Sequence, residues 1–154
     1  MKFAEWEKTV PQSIRDDALW RMKVYQMALF VADIAWEDVS KLLGDKRTLE
    51  LSDQLYRAIG SISANIAEGY SRSSGKDHAR FYEYALGSAR ESRDWYFKAR
   101  HILPQPVIDH RIDYLSQIIR YLLTALPDQR TVYLRDEQEL YHLTTTSVSE
   151  GEGE

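Results

Sequence analysis

The sequence predicts an all-α fold, specifically an antiparallel up-down-up-down four-helix bundle. Three observations support this prediction. Apolar residues recur in alternating steps of three and four along four segments. The connections between these segments are short, which favours antiparallel neighbours, and no segment shows the alternating pattern that is typical of a strand. The four predicted helices span residues 17–43, 48–69, 76–102 and 106–126.

Apolar stripes and breakers define the first two helices. The stripe of helix 17–43 contains Trp20, Val24, Met27, Val31 and Ile34, and that of helix 48–69 contains Leu51, Leu55, Ala58, Ile62 and Asn65. Asp16 and Asp17 precede the first helix and are N-cap candidates, because a carboxylate can accept hydrogen bonds from the first backbone amides. Gly44 and Asp45 mark its end.

Capping residues and prolines mark the other two helices. Ser74, with Asp77 three residues later, resembles a capping box at the start of helix 76–102. Pro106 suits the first turn of helix 106–126, and Pro127 follows its end. The stripe of the last helix contains Ile108, Ile112, Leu115, Ile119, Leu122 and Leu126, and that of the third contains Phe81, Ala85, Ser88, Ser92, Trp95, Ala99 and Ile102.

Composition divides the chain into three parts. We predict an N-terminal extension at residues 1–16, the bundle at 17–127, and an acidic, largely disordered C-terminal tail at 128–154. Residues 127–154 hold two basic and seven acidic side chains, a net charge of −5, whereas residues 1–126 have a net charge of +1. This balance lacks the strongly basic character of a dedicated nucleic-acid binder.

The sequence also indicates where the protein works. It contains no cysteine, which agrees with a reducing compartment. The N-terminal residues are too polar for a signal peptide, and no stretch approaches the roughly 18 apolar residues of a membrane span. We therefore expect a cytoplasmic protein that has no membrane segment.

A second apolar stripe lies beside the main one on three of the helices. It either widens the intramolecular core or is buried against other copies of the chain. Self-association is the favoured interpretation, because tyrosine combines a large apolar ring with a hydrogen-bonding tip. The candidate subunit-interface residues are Tyr82, Tyr96, Tyr114 and Tyr121.

Small and polar residues interrupt the apolar pattern in the middle of the chain. Gly60 and Gly87 each cost about 1 kcal/mol relative to alanine in a helix, so we expect a close approach of two helix backbones. Asn65 and Ser88 fall on predicted core positions, where an unsatisfied polar group costs about 1–3 kcal/mol. We predict a structural polar network of Arg57, Asn65, Glu68, Ser88 and Glu91; a binding or catalytic pocket is the alternative.

The same region carries a family resemblance. Residues 65–69, Asn-Ile-Ala-Glu-Gly, resemble the signature of the 23S rRNA intervening-sequence four-helix-bundle family, found in bacteria. The match spans residues 19–126 and is strongest over 51–91. Its other parts are Gln54-Leu55, Arg57-Ala58, Ser61-Ile62, Phe81, Ala85, Gly87-Ser88 and Glu91. The resemblance implies an up-down four-helix bundle that assembles as a ring-like homopentamer, in a family whose function is mostly unknown.

A related branch of that family suggests a nucleic-acid partner. It comprises the accessory variability proteins of diversity-generating retroelements, which bind nucleic acid and the reverse transcriptase and are markedly basic. This chain is not basic overall, so any contact with phosphates would depend on local clusters. The candidate contact residues are Lys46, Arg47, Arg72, Lys76 and Arg80. The alternative is that they are ordinary solvated side chains.

Motifs for catalysis are missing from the sequence. A di-iron bundle needs two Glu-x-x-His pairs, and one occurs, at Glu139 and His142. No phosphate-binding loop or nucleophile motif is found, so we predict no cofactor, no metal and no enzymatic activity. Three functions remain: an oligomeric adaptor for RNA or an RNA-associated protein, a pentameric protein scaffold without nucleic-acid binding, and, as a distant third, an enzyme using Glu68 and Glu91.

Overall fold

The computed structural model describes residues 1–126, which form six α-helices linked by short turns and contain no strand. The predicted all-α class is therefore confirmed. The predicted acidic tail, at residues 128–154, lies outside the described residues. In chain order the helices are α1 (Phe3–Trp6), α2 (Gln12–Arg15), α3 (Lys23–Leu42), α4 (Leu49–Tyr70), α5 (Gly75–Lys98) and α6 (Gln105–Ala125).

The four long helices agree with the four predicted segments, except at the start of α3 and at the end of α5, where a 3-10 helix at Ala99–His101 follows Lys98. Residues Ala18–Arg21 form a separate 3-10 helix. Asp17 caps this element, because its carboxylate accepts a hydrogen bond from the Leu19 backbone amide at 2.8 Å. The predicted cap is therefore present, but it begins the 3-10 helix and not α3.

The start of α5 was predicted from its cap. The Ser74 hydroxyl accepts a hydrogen bond from the Asp77 backbone amide at 3.1 Å, and donates one to the Asp77 carboxylate at 3.0 Å. Pro106 lies in the first turn of α6, as expected. Pro127, the predicted end of that helix, lies outside the described residues.

The N-terminal segment packs onto α3 and contributes to the core. The Trp6 indole donates a hydrogen bond to Asp33 at 2.7 Å, and its ring centre lies 5.2 Å from that of Phe30. The Phe3 ring meets Phe30 edge-on at 5.5 Å. Because Trp6 and Val10 are buried, the hydrophobic core includes residues that precede position 17.

The four long helices surround one hydrophobic core. The strongest contacts join α3 to α4, α4 to α5, α5 to α6 and α6 back to α3. The largest fully buried side chains are Tyr96, Phe30, Leu42, Leu55, Ile59, Ile62, Ile66, Ile108, Leu115, Ile118, Leu122 and Val31. Among the described helices, none combines the length and the apolar character that a bilayer crossing requires.

Glycine is required at one close contact between α4 and α5. A Cβ atom added to Gly69 would lie 2.8 Å from a ring atom of Tyr82 and 3.1 Å from the Phe81 Cβ. At Gly60 and Gly87, an added Cβ would meet nothing within 4 Å in the described part of the chain. The prediction that a neighbouring helix comes close at Gly60 and Gly87 is therefore wrong for the described part of the chain. The close contact between helices lies at Gly69 instead.

We expect Gly69→Ala to lower the free energy of unfolding by about 1–3 kcal/mol, since the new methyl group must displace Tyr82 or Phe81. Gly87→Ala is the matched control in the neighbouring helix. It should raise stability by up to about 1 kcal/mol, because alanine favours helix and meets no atom there. Urea denaturation followed by circular dichroism measures both; a gain of stability in both variants would contradict the tight α4–α5 contact.

Candidate functional site

A buried ion pair joins α3, α5 and α6. Asp38 on α3 is 1% exposed and accepts two hydrogen bonds from Arg111 on α6, at 2.7 Å from Nε and 3.3 Å from Nη2. Tyr96 on α5 is fully buried and donates its hydroxyl to the same carboxylate at 2.9 Å. One carboxylate thus connects three helices, and we call Asp38, Tyr96 and Arg111 the buried triad.

His110 extends the triad towards the protein surface. Its Nδ1 lies 2.8 Å from Nη1 of Arg111. A guanidinium group can only donate hydrogen bonds, so Nδ1 accepts and the imidazole is neutral in this contact. The ring stacks on Tyr114, with centres 5.8 Å apart and planes inclined by 12°. Burial and then the neighbouring Arg111 charge lower the pKa of His110.

The tyrosines around the triad remain protonated. Burial, and then the Asp38 carboxylate, raise the pKa of Tyr96 well above its usual value. Burial raises the pKa of Tyr114 to about 12. Since neither phenol ionises near neutral pH, Tyr96 serves as a hydrogen-bond donor to Asp38 and not as a base.

Sequence reasoning missed the triad, although a signal was available. Asp38 lies four residues after Ile34 and four before Leu42, both of them buried, and so it occupies a core position of its helix. Arg111 lies similarly between Ile108 and Leu115 on α6. A charged residue in the apolar stripe of each of two helices predicts a buried pair, since a lone buried charge is too costly.

The described residues show no hydrogen bond or ion pair that joins the members of the predicted polar network to one another. In the described residues, each of its five members instead contacts a residue four positions away in the chain; for Ser88 it is the backbone carbonyl that accepts a hydrogen bond. The partners are Asp53 for Arg57, Ser61 for Asn65, Arg72 for Glu68, Ser92 for Ser88 and Trp95 for Glu91. The Asn65 amide bonds the Ser61 carbonyl at 2.8 Å. This local bond satisfies a half-buried side chain without a partner from another helix.

Glu68 and Glu91 do not form a pair of carboxylates. Gly69, next to Glu68, contacts Tyr82, which is about nine residues, or about 13 Å, along α5 from Glu91. Both glutamates are exposed. Residues 1–126 also contain no group of three or more His, Asp or Glu side chains that could hold a metal ion. The described part of the chain therefore has no assembled catalytic group at this position.

The predicted nucleic-acid contacts divide between the two ends of α4. Lys46 and Arg47 precede this helix of 22 residues, and Arg72 follows it, a separation of about 33 Å. Arg47 is also bonded to Asp45 at 2.6 Å, and these bonds lower the pKa of Asp45 to about 2. The structure therefore does not bring Lys46 and Arg47 together with the other three residues.

The remaining three residues lie near two aromatic rings where α4 is followed by α5. The guanidinium carbons of Arg72 and Arg80 lie 4.9 and 5.6 Å from the centre of the Phe81 ring. Phe81 meets Tyr84 edge-on at 5.6 Å, and Tyr84 is 49% exposed. Lys76 is exposed and precedes Arg80 by one helical turn. We call these five residues the basic–aromatic cluster.

The four predicted interface tyrosines lie at different depths. Tyr96 belongs to the buried triad, so its assignment to a subunit interface is wrong. Tyr82 and Tyr114 are half-buried and pack on the core of their own chain. Tyr121 is 48% exposed and lines a shallow groove on α6 with Gln117. Its place in an interface stays a prediction.

A different exposed aromatic pair lies on α3 and α4. Trp36 is 61% exposed and meets Tyr56, 45% exposed, edge-on at 5.8 Å. Tyr56 also lines a groove of about 420 Å³ together with Ile14 and Gly60. We call Ile14, Trp36, Tyr56 and Gly60 the aromatic face. Trp36 belongs to neither predicted apolar stripe, and a large aromatic residue outside both is a signal for a binding surface.

These features define an all-α protein whose helices are joined by a buried ion pair and whose surface carries a basic–aromatic cluster and an aromatic face. The model of the 23S rRNA-intervening sequence protein family matches residues 21–127. The chain belongs to this family, which confirms the resemblance seen around Asn65.

The chain is similar in structure to a solved protein. The solved structure is a crystal structure from Bacteroides thetaiotaomicron, of a protein with unknown function from the S23 ribosomal protein family. The TM-score is 0.60 at 21% sequence identity, and the match covers 66% of this chain and 95% of that chain. At this identity the likeness shows the fold. No curated protein matches the chain.

We expect Tyr96→Phe to lower the free energy of unfolding by about 1.5–3 kcal/mol, the usual contribution of a hydrogen bond to a charged group. Tyr114→Phe is the matched control, because it removes a hydroxyl on the neighbouring helix that has no part in the triad. It should change stability by less than about 0.5 kcal/mol. Urea denaturation measures both, and equal effects would argue against the bond between Tyr96 and Asp38.

Proposed function

We propose that the chain is a non-enzymatic, self-associating adaptor built on an antiparallel up-down-up-down four-helix bundle. Contacts between α3 and α5 support the topology. Asp38 bonds Tyr96, and the Met22 sulfur, next to the start of α3, lies 4.0 Å from the Tyr82 hydroxyl. Residue numbers rise together in these two contacts, so α3 and α5 run in the same direction.

Contacts between α5 and α6 support the proposal that these two helices run in opposite directions. Arg93 donates a hydrogen bond to Ser116 at 3.3 Å. Tyr96 lies next to Arg111, because both bond the same Asp38 oxygen. From the first contact to the second, the residue number rises on α5, from Arg93 to Tyr96, and falls on α6, from Ser116 to Arg111. This is expected for antiparallel helices joined by a short connection.

The aromatic face carries the proposal of self-association. Trp36 and Tyr56 are of the residue types that dominate interface energetics, and both are largely exposed in the single chain. Gly60 leaves the α4 backbone open at the same place. Glycine there costs about 1 kcal/mol in helix stability, and a closely packed neighbouring subunit would offset this cost.

A ring-like homopentamer, which the family resemblance implies, needs two different contacting surfaces on each copy. We propose the aromatic face as one of them. The shallow groove around Tyr121 and Gln117 on α6 is the second, because α6 is not a neighbour of α4 in the main helix contacts. In such a ring, the aromatic face of one copy would contact the α6 groove of the next copy, so that both surfaces become buried.

The test of self-association is the molar mass of variants. We expect Trp36→Glu and Tyr56→Glu to reduce the mass from that of an oligomer to that of smaller species, since a charge at the centre of an interface is costly. Phe97→Glu is the matched control, because Phe97 is 53% exposed on α5, away from the aromatic face. Light scattering after gel filtration measures the mass; a monomeric parent chain, or an unchanged mass in both variants, would contradict the proposal.

RNA binding is a second candidate function, and the basic–aromatic cluster is the observation that favours it. Exposed rings stack on bases, and Arg and Lys neutralise phosphates, so this combination suits single-stranded nucleic acid. Arg72 is already paired with Glu68, so Lys76 and Arg80 would provide most of the attraction. An RNA-associated protein is the alternative ligand if the adaptor does not contact RNA itself.

We expect a single-stranded rRNA fragment to bind at about 50 mM salt and to lose at least about tenfold in affinity at about 200 mM. Arg80→Ala and Tyr84→Ala should each weaken binding by about 5- to 100-fold, whereas Arg47→Ala, the control at the other end of α4, should not. Fluorescence anisotropy gives the dissociation constants. Absence of binding at both salt concentrations would leave a protein scaffold as the function.

A further inference from the structure

We propose that Arg120, in the α6 groove of one copy of the chain, binds the carboxylates of Asp33 and Glu37 beside the aromatic face of the next copy. The contact rests on the proposed self-association and names the ion pair that orients two neighbouring copies. The outer side of α3 carries the two carboxylates, and the last turns of α6 carry the cation.

Two carboxylates lie one helical turn apart on the outer side of α3. Asp33 and Glu37 are both exposed, and their separation of four residues places them on one face of the helix. Residues 24–40 contain three acidic side chains and no basic one; the third, Asp38, is buried in the triad. Like charges at this spacing destabilise a helix, and a cation from another copy would offset that cost.

Neither carboxylate has a cationic partner in the described part of the chain. Lys41 lies one turn beyond Glu37, but no ion pair joins them among residues 1–126. Asp33 uses Oδ2 to accept the Trp6 indole N–H at 2.7 Å, and it lines the groove of the aromatic face. The two carboxylates therefore give the border of the aromatic face a negative charge.

Arg120 carries the opposite charge on the other proposed surface. It is the only charged residue between positions 114 and 126, it is exposed, and it makes no ion pair within residues 1–126. It lines the α6 groove with Gln117, Tyr121 and Thr124. Arginine and tyrosine are two of the residue types that dominate interface hot spots.

A guanidinium group suits a pair of carboxylates at this spacing. It has five N–H donors in one plane, and the Cβ atoms of residues one turn apart are separated by about 5–6 Å, so one arginine can bond both acids. The same contact brings Tyr121 towards the exposed rings of Trp36 and Tyr56. Rings that exclude water from the contact strengthen the ion pair, because the local dielectric constant falls.

The separation of the charges determines which surfaces attract each other. Two α3 surfaces would bring four carboxylates together, and two α6 grooves would bring two guanidinium groups together, so both of these contacts are repulsive. Contact between the α3 surface of one copy and the α6 groove of the next is attractive. It joins the copies head to tail, which is the arrangement that a ring requires.

Charge reversal in the full chain tests the ion pair. We expect Arg120→Glu to weaken assembly at least about tenfold, and Asp33→Asn combined with Glu37→Arg to do the same, because each brings like charges together. Asn retains an oxygen for the Trp6 N–H, so the N-terminal segment keeps its bond to α3. Combining the three substitutions restores opposite charges and should return the dissociation constant to within about threefold of the parent value.

Light scattering over a dilution series gives these constants, and Glu91→Arg, at an exposed glutamate of α5, is the control that should change nothing. A monomeric parent would overturn both the self-association and this contact. An oligomeric parent that tolerates Arg120→Glu would overturn the ion pair and leave the self-association in place. A combined variant that stays dissociated would also overturn the ion pair.

Cysteine cross-linking tests the head-to-tail arrangement, since the chain has no cysteine of its own. Asp38 meets Arg111, and Arg120 lies nine residues, about 13 Å, further along α6. A disulfide joins Cα atoms at most about 7 Å apart, so cysteines at positions 37 and 120 can be joined only between copies.

We expect the double variant Glu37→Cys, Arg120→Cys to give a ladder of disulfide-linked dimers, trimers and larger species on a non-reducing gel. Glu91→Cys with Arg120→Cys is the matched control and should remain largely uncross-linked. A ladder that stops at the dimer would contradict the head-to-tail contact, and equal cross-linking in the two variants would contradict the site.

Discussion

The Asp38 carboxylate constrains the packing of three helices, because its burial requires Arg111 and Tyr96 to meet it at one point. Removing one partner of a buried pair typically costs about 3–5 kcal/mol. Apolar side chains tolerate a small axial shift of one helix along another, whereas three polar groups with fixed geometry do not. We infer that the triad fixes the axial positions of α5 and α6 relative to α3.

The surface features follow from this arrangement. α5 is held against α3 and α6 by Tyr96 and Arg93, while Tyr84 and Arg80 on the same helix are exposed. The tight contact at Gly69 holds α4 against α5 and places Arg72 over Phe81. On the other side of the molecule, the N-terminal segment covers α3 and forms one wall of the groove beside Tyr56. The proposed RNA and subunit contacts therefore use separate surfaces.

The sequence predicted the helices and the family better than it predicted the site. Helical periodicity, the Ser74 cap and Pro106 depend on residues close in the chain, so α4, α5 and α6 could be located well. The triad joins residues more than 50 positions apart, and periodicity assigns a face to a residue but not its partner on another helix. The pattern therefore predicts Tyr96 as a subunit-interface residue and Asn65 as a core residue that needs a partner on another helix, although the Ser61 carbonyl of the same helix bonds the Asn65 amide. Residues 1–16 show no long stripe, so their contact with Phe30 had no signal in the sequence.

A double-mutant cycle on the buried pair tests the central claim most directly. Asp38→Leu and Arg111→Met should each lower the free energy of unfolding by about 3–5 kcal/mol, because each leaves one buried charge without its partner. The double variant has no such charge and should recover most of that loss, which gives a coupling energy of at least about 2 kcal/mol. Additive losses in the double variant would show that the two side chains act independently, and would contradict the account in which this pair sets the packing of the helices.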